Sequence, residues 1–295
     1  MVSINGKTRL LGVLGWPVSH SLSPVLHNAA ATHHQLPYVY VPLPVHPDHL
    51  AVAVRGLPVL GFHGVNVTIP HKQRVIAYLD GVDAAATAIG AVNTILIQLP
   101  SVAAPTPALQ GTNTDWSGFL ADLEGYGFDP AGQDCLVLGA GGAARAIVYA
   151  LAQRRGRVHL CARRIEQVEQ VIEALSPYLP GAWLNPVSSE QLAHYLAQYP
   201  PTLIVNTTPL GMTPHRDTSP WPEDVPFPPG AMVYDLVYNP ATTKLMRDAA
   251  AQGCRALNGL GMLIHQGVQA LQLWTGVKID VGVVAAAVNS HTIDN

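Results

Sequence analysis

Short apolar runs alternate with longer segments that carry one apolar face along most of this chain. Residues 9–14 form an apolar run stopped by Gly15-Trp16-Pro17 and predict a first strand. Residues 24–34 predict a helix, with Ser23 placed to cap it and Pro24 suited to its first turn. A strand over 38–43, a helix over 50–57 and strands over 64–69 and 91–99 follow. The alternation restarts near Asp134, with strand 135–138, helix 143–153, strand 158–161 and helix 166–175. Strands at 203–206 and 232–236 and a helix over 260–273 complete the pattern. Strands alternating with helices predict an α/β fold with largely parallel sheets. Between 206 and 232 stand Pro209, Pro214, Pro220, Pro222, Pro226, Pro228 and Pro229. That density excludes regular structure and predicts a stiff covering loop.

Composition narrows the function class. The chain has 295 residues, 48% of them apolar and only 12% charged, against about 25% charged in ordinary soluble proteins. It can bury a large core and is neither disordered nor a charged coiled coil. A net charge of −3 gives no broad basic surface for nucleic acid or anionic lipid. The three cysteines, Cys135, Cys161 and Cys254, are far apart and form no CxxC, so a disulfide scaffold or zinc ribbon is not expected and a reducing cytoplasm fits. Residues 1–10 do not read as a signal peptide. The longest stretch without Asp, Glu, Lys, Arg or His, 84–114, is broken by Gly90, Asn93, Gln98, Pro100 and Pro105 and would span a membrane poorly. Thirteen histidines form no HExxH or related constellation, so no metal is expected.

Gly139-Ala140-Gly141-Gly142-Ala143-Ala144 fits G-x-G-x-x-G/A, after a predicted strand and at the start of a predicted helix. Gly139 would make the tight turn, Gly141 would admit a pyrophosphate to the backbone, and Ala144 would let helix and strand pack closely. The helix N-terminus supplies N–H donors and partial positive charge to phosphates. An NAD site carries an acidic residue about 20 positions on. Here the next strand ends Cys161-Ala162-Arg163-Arg164, with no carboxylate at its tip. A guanidinium offers a fork to a 2′-phosphate and a planar face to adenine. NADP is therefore expected over NAD.

Polar residues cluster elsewhere too. Backbone before a proline tends to be extended, so Ser21 and Ser23, ahead of Pro24, are expected to turn two hydroxyls toward one carboxylate. Asn66 and Thr68 share a strand face in Gly64-Val65-Asn66-Val67-Thr68-Ile69-Pro70-His71-Lys72, and Lys72 lies just past the strand's carboxyl end, where ligands collect in α/β sheets. Gly90-Ala91-Val92-Asn93-Thr94, Gly111-Thr112-Asn113-Thr114-Asp115 and Gly259-Leu260-Gly261-Met262-Leu263-Ile264-His265-Gln266 complete the set.

Together with Asn206-Thr207-Thr208-Pro209-Leu210-Gly211-Met212 and Tyr234-Asp235-Leu236-Val237-Tyr238-Asn239-Pro240, these segments resemble the shikimate dehydrogenase family, in the family's order and over residues 12–266. The resemblance implies two domains flanking a cleft: an α/β substrate-binding domain, 1–114 plus 259–295, and a Rossmann-type doubly wound NADP domain, 115–258. It implies an oxidoreductase of aromatic amino-acid biosynthesis that reversibly reduces 3-dehydroshikimate to shikimate with NADPH. By position, Lys72 and Asp115 match the family's catalytic pair. Ser21 and Ser23 match its carboxylate-binding pair, and Tyr238 a tyrosine near that carboxylate. Asn66, Thr68, Asn93 and Gln266 match substrate-hydroxyl or cleft contacts. Gly139, Ala140, Gly141, Gly142 and Ala143 match its phosphate loop, and Thr207 and Gly259 fall among its cofactor positions. Arg163 matches the arginine that reads the 2′-phosphate. The family commonly has Asn-Arg-Thr or Asn-Arg-Ser there; in Ala162-Arg163-Arg164 the flanking adenosine contacts differ, and Arg164 adds a second positive charge.

The chemistry of the pair fits. Reducing a ketone builds negative charge on oxygen, which a nearby ammonium stabilises and protonates. An enzyme of this kind takes a small-molecule substrate, neither nucleic acid nor membrane, and works as a monomer or homodimer in the cytoplasm. The alternatives are a quinate/shikimate dehydrogenase with relaxed cofactor use, against which the missing carboxylate at 162 argues, and a catalytically silent ligand sensor, which would lack Lys72 or Asp115.

Overall fold

The structure is a computed structural model and describes residues 4–99 and 106–293. Pro100 and Pro105, expected to interrupt the long uncharged stretch, lie outside the described residues. Two compact units divide the chain, Met1–Gly118 with Leu263–Asn295 and Phe119–Met262. The crossings fall at 118 and 262, where the sequence suggests 114 and 258, because each lies inside a helix.

In the first unit the chain runs β1 (Arg9–Gly15), α1 (Ser23–His33), β2 (Tyr38–Pro44), α2 (Leu50–Gly56), β3 (Phe62–Val67), β4 (Gly81–Val82), α3 (Ala84–Ile89), β5 (Thr94–Gln98) and β6 (Ala108–Thr112), then enters α4 (Asp115–Gly125). Its sheet has the order β2-β1-β3-β5-β6-β4. The expected largely parallel sheet is found with one strand reversed, three of its five pairings being parallel. β1 pairs parallel with β2 and β3, but β5 is antiparallel to both β3 and β6. Only nine residues of chain, 99–107, separate β5 from β6, and a parallel pair needs a crossover of about a dozen or more. The strand expected over 91–99 also starts later, since Gly90 closes α3 in the left-handed region at φ 68°. Asn93 therefore precedes β5. Leu14, Val54, Phe62, Val65, Val67, Ile95 and Leu109 share one buried cluster on this sheet.

The second unit carries β7 (Asp134–Leu138), α5 (Gly142–Gln153), β8 (Arg157–Ala162), α6 (Ile165–Leu175), β9 (Leu184–Ser188), α7 (Leu192–Gln198), β10 (Leu203–Asn206), β11 (Met232–Asp235), α8 (Lys244–Ala251) and β12 (Arg255–Asn258). All its pairings are parallel, in the order β12-β11-β10-β7-β8-β9. The chain starts at the centre, moves out through β8 and β9, then returns to β10 and moves out the other way. This is the doubly wound Rossmann topology, with its switch point between β7 and β10. The proline-rich loop forms no helix or strand. It stacks Trp221 on Phe227, centroids 4.5 Å apart, and both side chains join the core of this sheet. Cys135, Cys161 and Cys254 are free and buried; burial pushes the Cys135 thiol up to about 12 and Cys161 to about 11, so they behave as small apolar groups. The chain then returns to the first unit through α9 (Leu260–Thr275) and ends in α10 (Val281–Ile293).

Candidate active site

In the first unit, β3 and β6 run the same way and β5 the opposite way. The residues after β3, before β5 and after β6 therefore meet at one edge of the sheet. There Lys72 Nζ donates to Asp115 Oδ2 at 2.7 Å. The two side chains are only 18% and 6% exposed, so this is no solvated surface pair. Asp115 opens α4, where a helix N-terminus favours a carboxylate, and its N–H is bound by Asn113 Oδ1 at 2.9 Å. Its other oxygen accepts from Asn93 Nδ2 at 2.8 Å. Asn93 Nδ2 also lies 3.3 Å from Gln266 Oε1, and Asn93 Oδ1 accepts from the Thr114 N–H at 2.8 Å. Asn66 joins through Thr94 Oγ1 at 3.0 Å. Asn66, Lys72, Asn93, Asp115 and Gln266, far apart in the sequence, thus share one network.

Close packing makes this convergence feasible. A Cβ at Gly118 would sit 2.7 Å from Gln266 Cβ, so glycine lets α9 approach α4. His71 is fully buried, and its Nε2 lies 2.7 Å from the Val45 carbonyl. That contact ties the turn carrying Lys72 to the end of β2, and the Lys72 carbonyl in turn accepts from the Val92 N–H at 2.8 Å.

Two local expectations differ. Ser21 and Ser23 do not share one extended segment: the Ser21 N–H closes a turn on the Val18 carbonyl at 3.1 Å, and Leu22 between them is already in helical conformation. Ser23 is the first residue of α1 rather than its cap. Pro24 brings no N–H to be capped, and Ser21 Oγ instead accepts from the Ser23 N–H at 3.2 Å. Thr68 lies one residue beyond β3, half-buried, where its methyl occupies space left by Gly15.

Behind this edge His27 is 1% exposed and its ring nitrogens have no hydrogen-bond partner. Burial pushes the imidazole down to about 3. It is neutral when folded, whereas the unfolded chain binds a proton below about 6.5. Its contribution to stability is therefore complete above pH 6.5 and is lost as pH falls toward 3, at about 1.4 kcal/mol per pH unit. His27→Phe is expected to flatten the pH dependence of urea unfolding between pH 6 and 4 by that slope; an unchanged slope would show that His27 is not the group responsible.

In the second unit every assigned residue follows the carboxyl end of a parallel strand. Gly139 leaves β7 at φ 115°, and a Cβ there would fall 2.4 Å from Thr207 Oγ1. Thr207, after β10, donates to the Leu138 carbonyl at 2.7 Å, across the switch point. Ala140 and Gly141 complete the turn. Gly141 caps α5 in extended conformation, and Gly142 and Ala143 open the helix. A Cβ on Gly141 would meet no protein atom within 4 Å, so open space adjoins the helix N-terminus. Ala144 is fully buried, as close helix–strand packing requires. Arg163 and Arg164 are exposed just after β8. Tyr238 is half-buried after β11. Gly259 follows β12, and a Cβ there would lie 2.2 Å from the Leu236 carbonyl oxygen, so packing alone demands glycine. These residues fit a dinucleotide with a 2′-phosphate: a glycine turn, a free helix N-terminus and two guanidinium groups at the next strand end.

The sequence reading missed Thr94, Thr114 and Tyr40. The two threonines lie inside quoted motifs but look like ordinary strand-end residues; Tyr40 looks like one more apolar position of a strand. Among the described residues no three His, Cys, Asp or Glu side chains gather as a metal site would need, and no helix is long and apolar enough to cross a membrane.

The chain is similar to known proteins over nearly its whole length. The shikimate dehydrogenase substrate binding domain matches residues 13–95, and the shikimate 5'-dehydrogenase C-terminal domain matches residues 259–288. A shikimate dehydrogenase (NADP(+)) of Moorella thermoacetica is 44% identical over 96% of this chain and 94% of its own length. A crystal structure of a shikimate dehydrogenase in complex with NADP+ is 35% identical, with a TM-score of 0.87 and 98% of each chain covered. One from Thermus thermophilus in complex with NADP(H) and shikimate is 34% identical, with a TM-score of 0.82 over 96% of this chain and 99% of that one.

Proposed function

Since the chain belongs to the shikimate dehydrogenase family, we propose that its Lys72–Asp115 pair moves the proton in that family's reaction. The protein is an NADP-dependent oxidoreductase that reversibly reduces 3-dehydroshikimate to shikimate. Bound NADPH supplies the hydride. As hydride adds to the ketone carbon, negative charge grows on its oxygen. The Lys72 ammonium stabilises that charge and gives up a proton to form the hydroxyl. In the reverse direction neutral Lys72 takes the hydroxyl proton. Asp115 Oδ2 holds Nζ in place, and the Asn93 contact keeps the carboxylate from rotating. The 18% exposure of the Lys72 side chain leaves it a path to exchange protons with solvent.

Around this pair, Ser21, Ser23 and Tyr238 bind the substrate carboxylate, and Asn66, Thr68, Asn93 and Gln266 read ring hydroxyls. An uncharged lining suits a polyhydroxylated acid, because each buried polar group left unpaired by a wrong ligand costs about 1–3 kcal/mol. Gly139, Ala140, Gly141, Gly142, Ala143, Thr207 and Gly259 hold the cofactor's phosphate side, and Arg163 and Arg164 its 2′-phosphate. The enzyme works as a monomer or homodimer in the cytoplasm, with no nucleic-acid partner. The single observation that carries the mechanism is the 2.7 Å contact between two side chains withdrawn from water.

Absorbance at the nicotinamide band tests it. With 3-dehydroshikimate, NADPH is expected to be consumed in preference to NADH, and shikimate in preference to quinate in the oxidative direction. Ligand binding without NADPH consumption would make the protein a sensor instead.

A further inference from the structure

Tyr40 has no role in the reading above, yet two successive residues of α1 hold it. Asn28 clamps its backbone: Asn28 Nδ2 donates to the Tyr40 carbonyl and Oδ1 accepts from the Tyr40 N–H, both at 2.9 Å. His27 stacks on its ring, with centroids 4.1 Å apart and planes 14° from parallel. The Trp274 indole lies against both rings, in space that a Cβ on Gly64 would close. Tyr40 is 2% exposed. Burial holds its phenol well above the usual range, so the hydroxyl keeps its proton. From β2 the side chain reaches past β1 to β3 and donates to Asn66 Oδ1 at 2.7 Å.

A side-chain amide has two donors on nitrogen and two lone pairs on oxygen, and its shape is nearly the same when flipped. Its partners decide the sense. Asn66 Nδ2 spends both hydrogens, on the Asn93 carbonyl at 3.2 Å and on Thr94 Oγ1 at 3.0 Å. Thr94 accepts there because its own proton goes to Asn93 Oδ1 at 2.9 Å. The bonds thus run in one direction, from Tyr40 through Asn66, Thr94 and Asn93 to Asp115. Among the described hydrogen bonds Tyr40 is the donor to Asn66 Oδ1, and an amide oxygen has a second lone pair for another.

We propose that Tyr40 is a positioning residue that makes Asn66 an acceptor-only contact, so that the ligand group meeting it must be a hydroxyl and never a ketone. This rests on the proposed contact between Asn66 and substrate. It gives the site a rule for orientation. A ligand turned so that its carbonyl met Asn66 would bring two acceptors together and leave both unpaired. The carbonyl is directed instead to Lys72, whose ammonium donates. Tyr40 acts on binding geometry and not on the proton transferred.

Steady-state kinetics of Tyr40→Phe, Asn66→Ala and the double variant test this. Phenylalanine keeps the stack on His27 and removes only the donor. Tyr40→Phe is expected to raise KM for shikimate about tenfold, the lower part of the range for losing a buried hydrogen-bond partner. It should leave kcat within about threefold, with the pH profile of kcat and KM for NADP+ unchanged. In the Asn66→Ala background, adding Tyr40→Phe should change KM no further, because the two act through one contact. A Tyr40→Phe enzyme with wild-type KM, beside an Asn66→Ala enzyme with raised KM, overturns the role of Tyr40 and leaves the substrate contact standing. Wild-type KM in Asn66→Ala removes the substrate contact itself. Tyr40→4-aminophenylalanine restores a donor at the same place and should return KM to within about threefold of wild type. If Tyr40→Phe does not fold, that variant carries the test alone: a tenfold KM increase in the folded protein overturns the proposal.

Discussion

Lys72→Ala lowers kcat for shikimate oxidation by about 10²–10⁴-fold, the usual range for removing a positioned proton-transfer group, while NADP+ affinity stays within about twofold. The prediction follows from where the residue sits. Lys72 belongs to the first unit and the glycine loop to the second, so the substitution leaves the cofactor's own binding loop untouched. At the proposed substrate contact it removes the ammonium paired to Asp115, a carboxylate 6% exposed in the intact protein and also held by Asn93. The hydroxyl that must give up its proton would then have no amine to receive it, and the negative charge growing on its oxygen would face a buried carboxylate. Were the pair only structural, its loss would lower stability and leave kcat near wild type in whatever protein remained folded. Single-turnover kinetics with saturating cofactor and shikimate, beside a fluorescence titration with NADPH, separate the two. Retained turnover at saturation would refute the assignment of Lys72 and leave the family membership unaffected.

Replacing Arg163 and Arg164 together by alanine is expected to lower kcat/KM for NADPH about a hundredfold and to change kcat/KM for NADH little. Hydrogen bonds to a charged group are worth about 1.5–3 kcal/mol each, and tenfold in kcat/KM corresponds to about 1.4 kcal/mol. Exposure of both arginines keeps the expected effect near the low end for two such bonds, because water and salt compete for each guanidinium. The two single variants divide the effect. The family's usual triplet has one arginine, so Arg163→Ala should carry most of the loss and Arg164→Ala a smaller share that weakens further at high salt. Equal losses with NADPH and NADH would mean that the arginines act on the whole dinucleotide, or on folding, and do not read the 2′-phosphate.

Much of the site was legible because the chemistry required particular residue types in short motifs. The glycine turn, the switch from strand to helix at 139–142 and the absence of a carboxylate at 162 are local properties, and local backbone rules suffice to read them. Ser21 and Ser23 were less legible. The preference for extended backbone before proline acts on the single residue Ser23, but Ser23 lies in the first turn of α1, closed by the Leu26 N–H on the Leu22 carbonyl at 3.0 Å, and the helix prevails. The antiparallel β5 was hidden for a different reason. A run such as Thr-Ile-Leu-Ile-Gln reads as a strand in either direction, and only its neighbours set its polarity.

From the amino acids alone followed two α/β units, a phosphate-binding loop and a set of polar side chains suited to a small hydroxylated acid, since periodicity and motif chemistry depend on near neighbours in the chain. Only tertiary structure could decide that Lys72 and Asp115, 43 positions apart, meet at 2.7 Å, that Gln266 reaches Asn93, and that the Tyr40 hydroxyl donates to an asparagine two strands away. Each of those contacts depends on strand order, on a glycine that lets two helices approach, or on the direction of a hydrogen bond. Such properties belong to the packed chain and leave no mark on its local pattern.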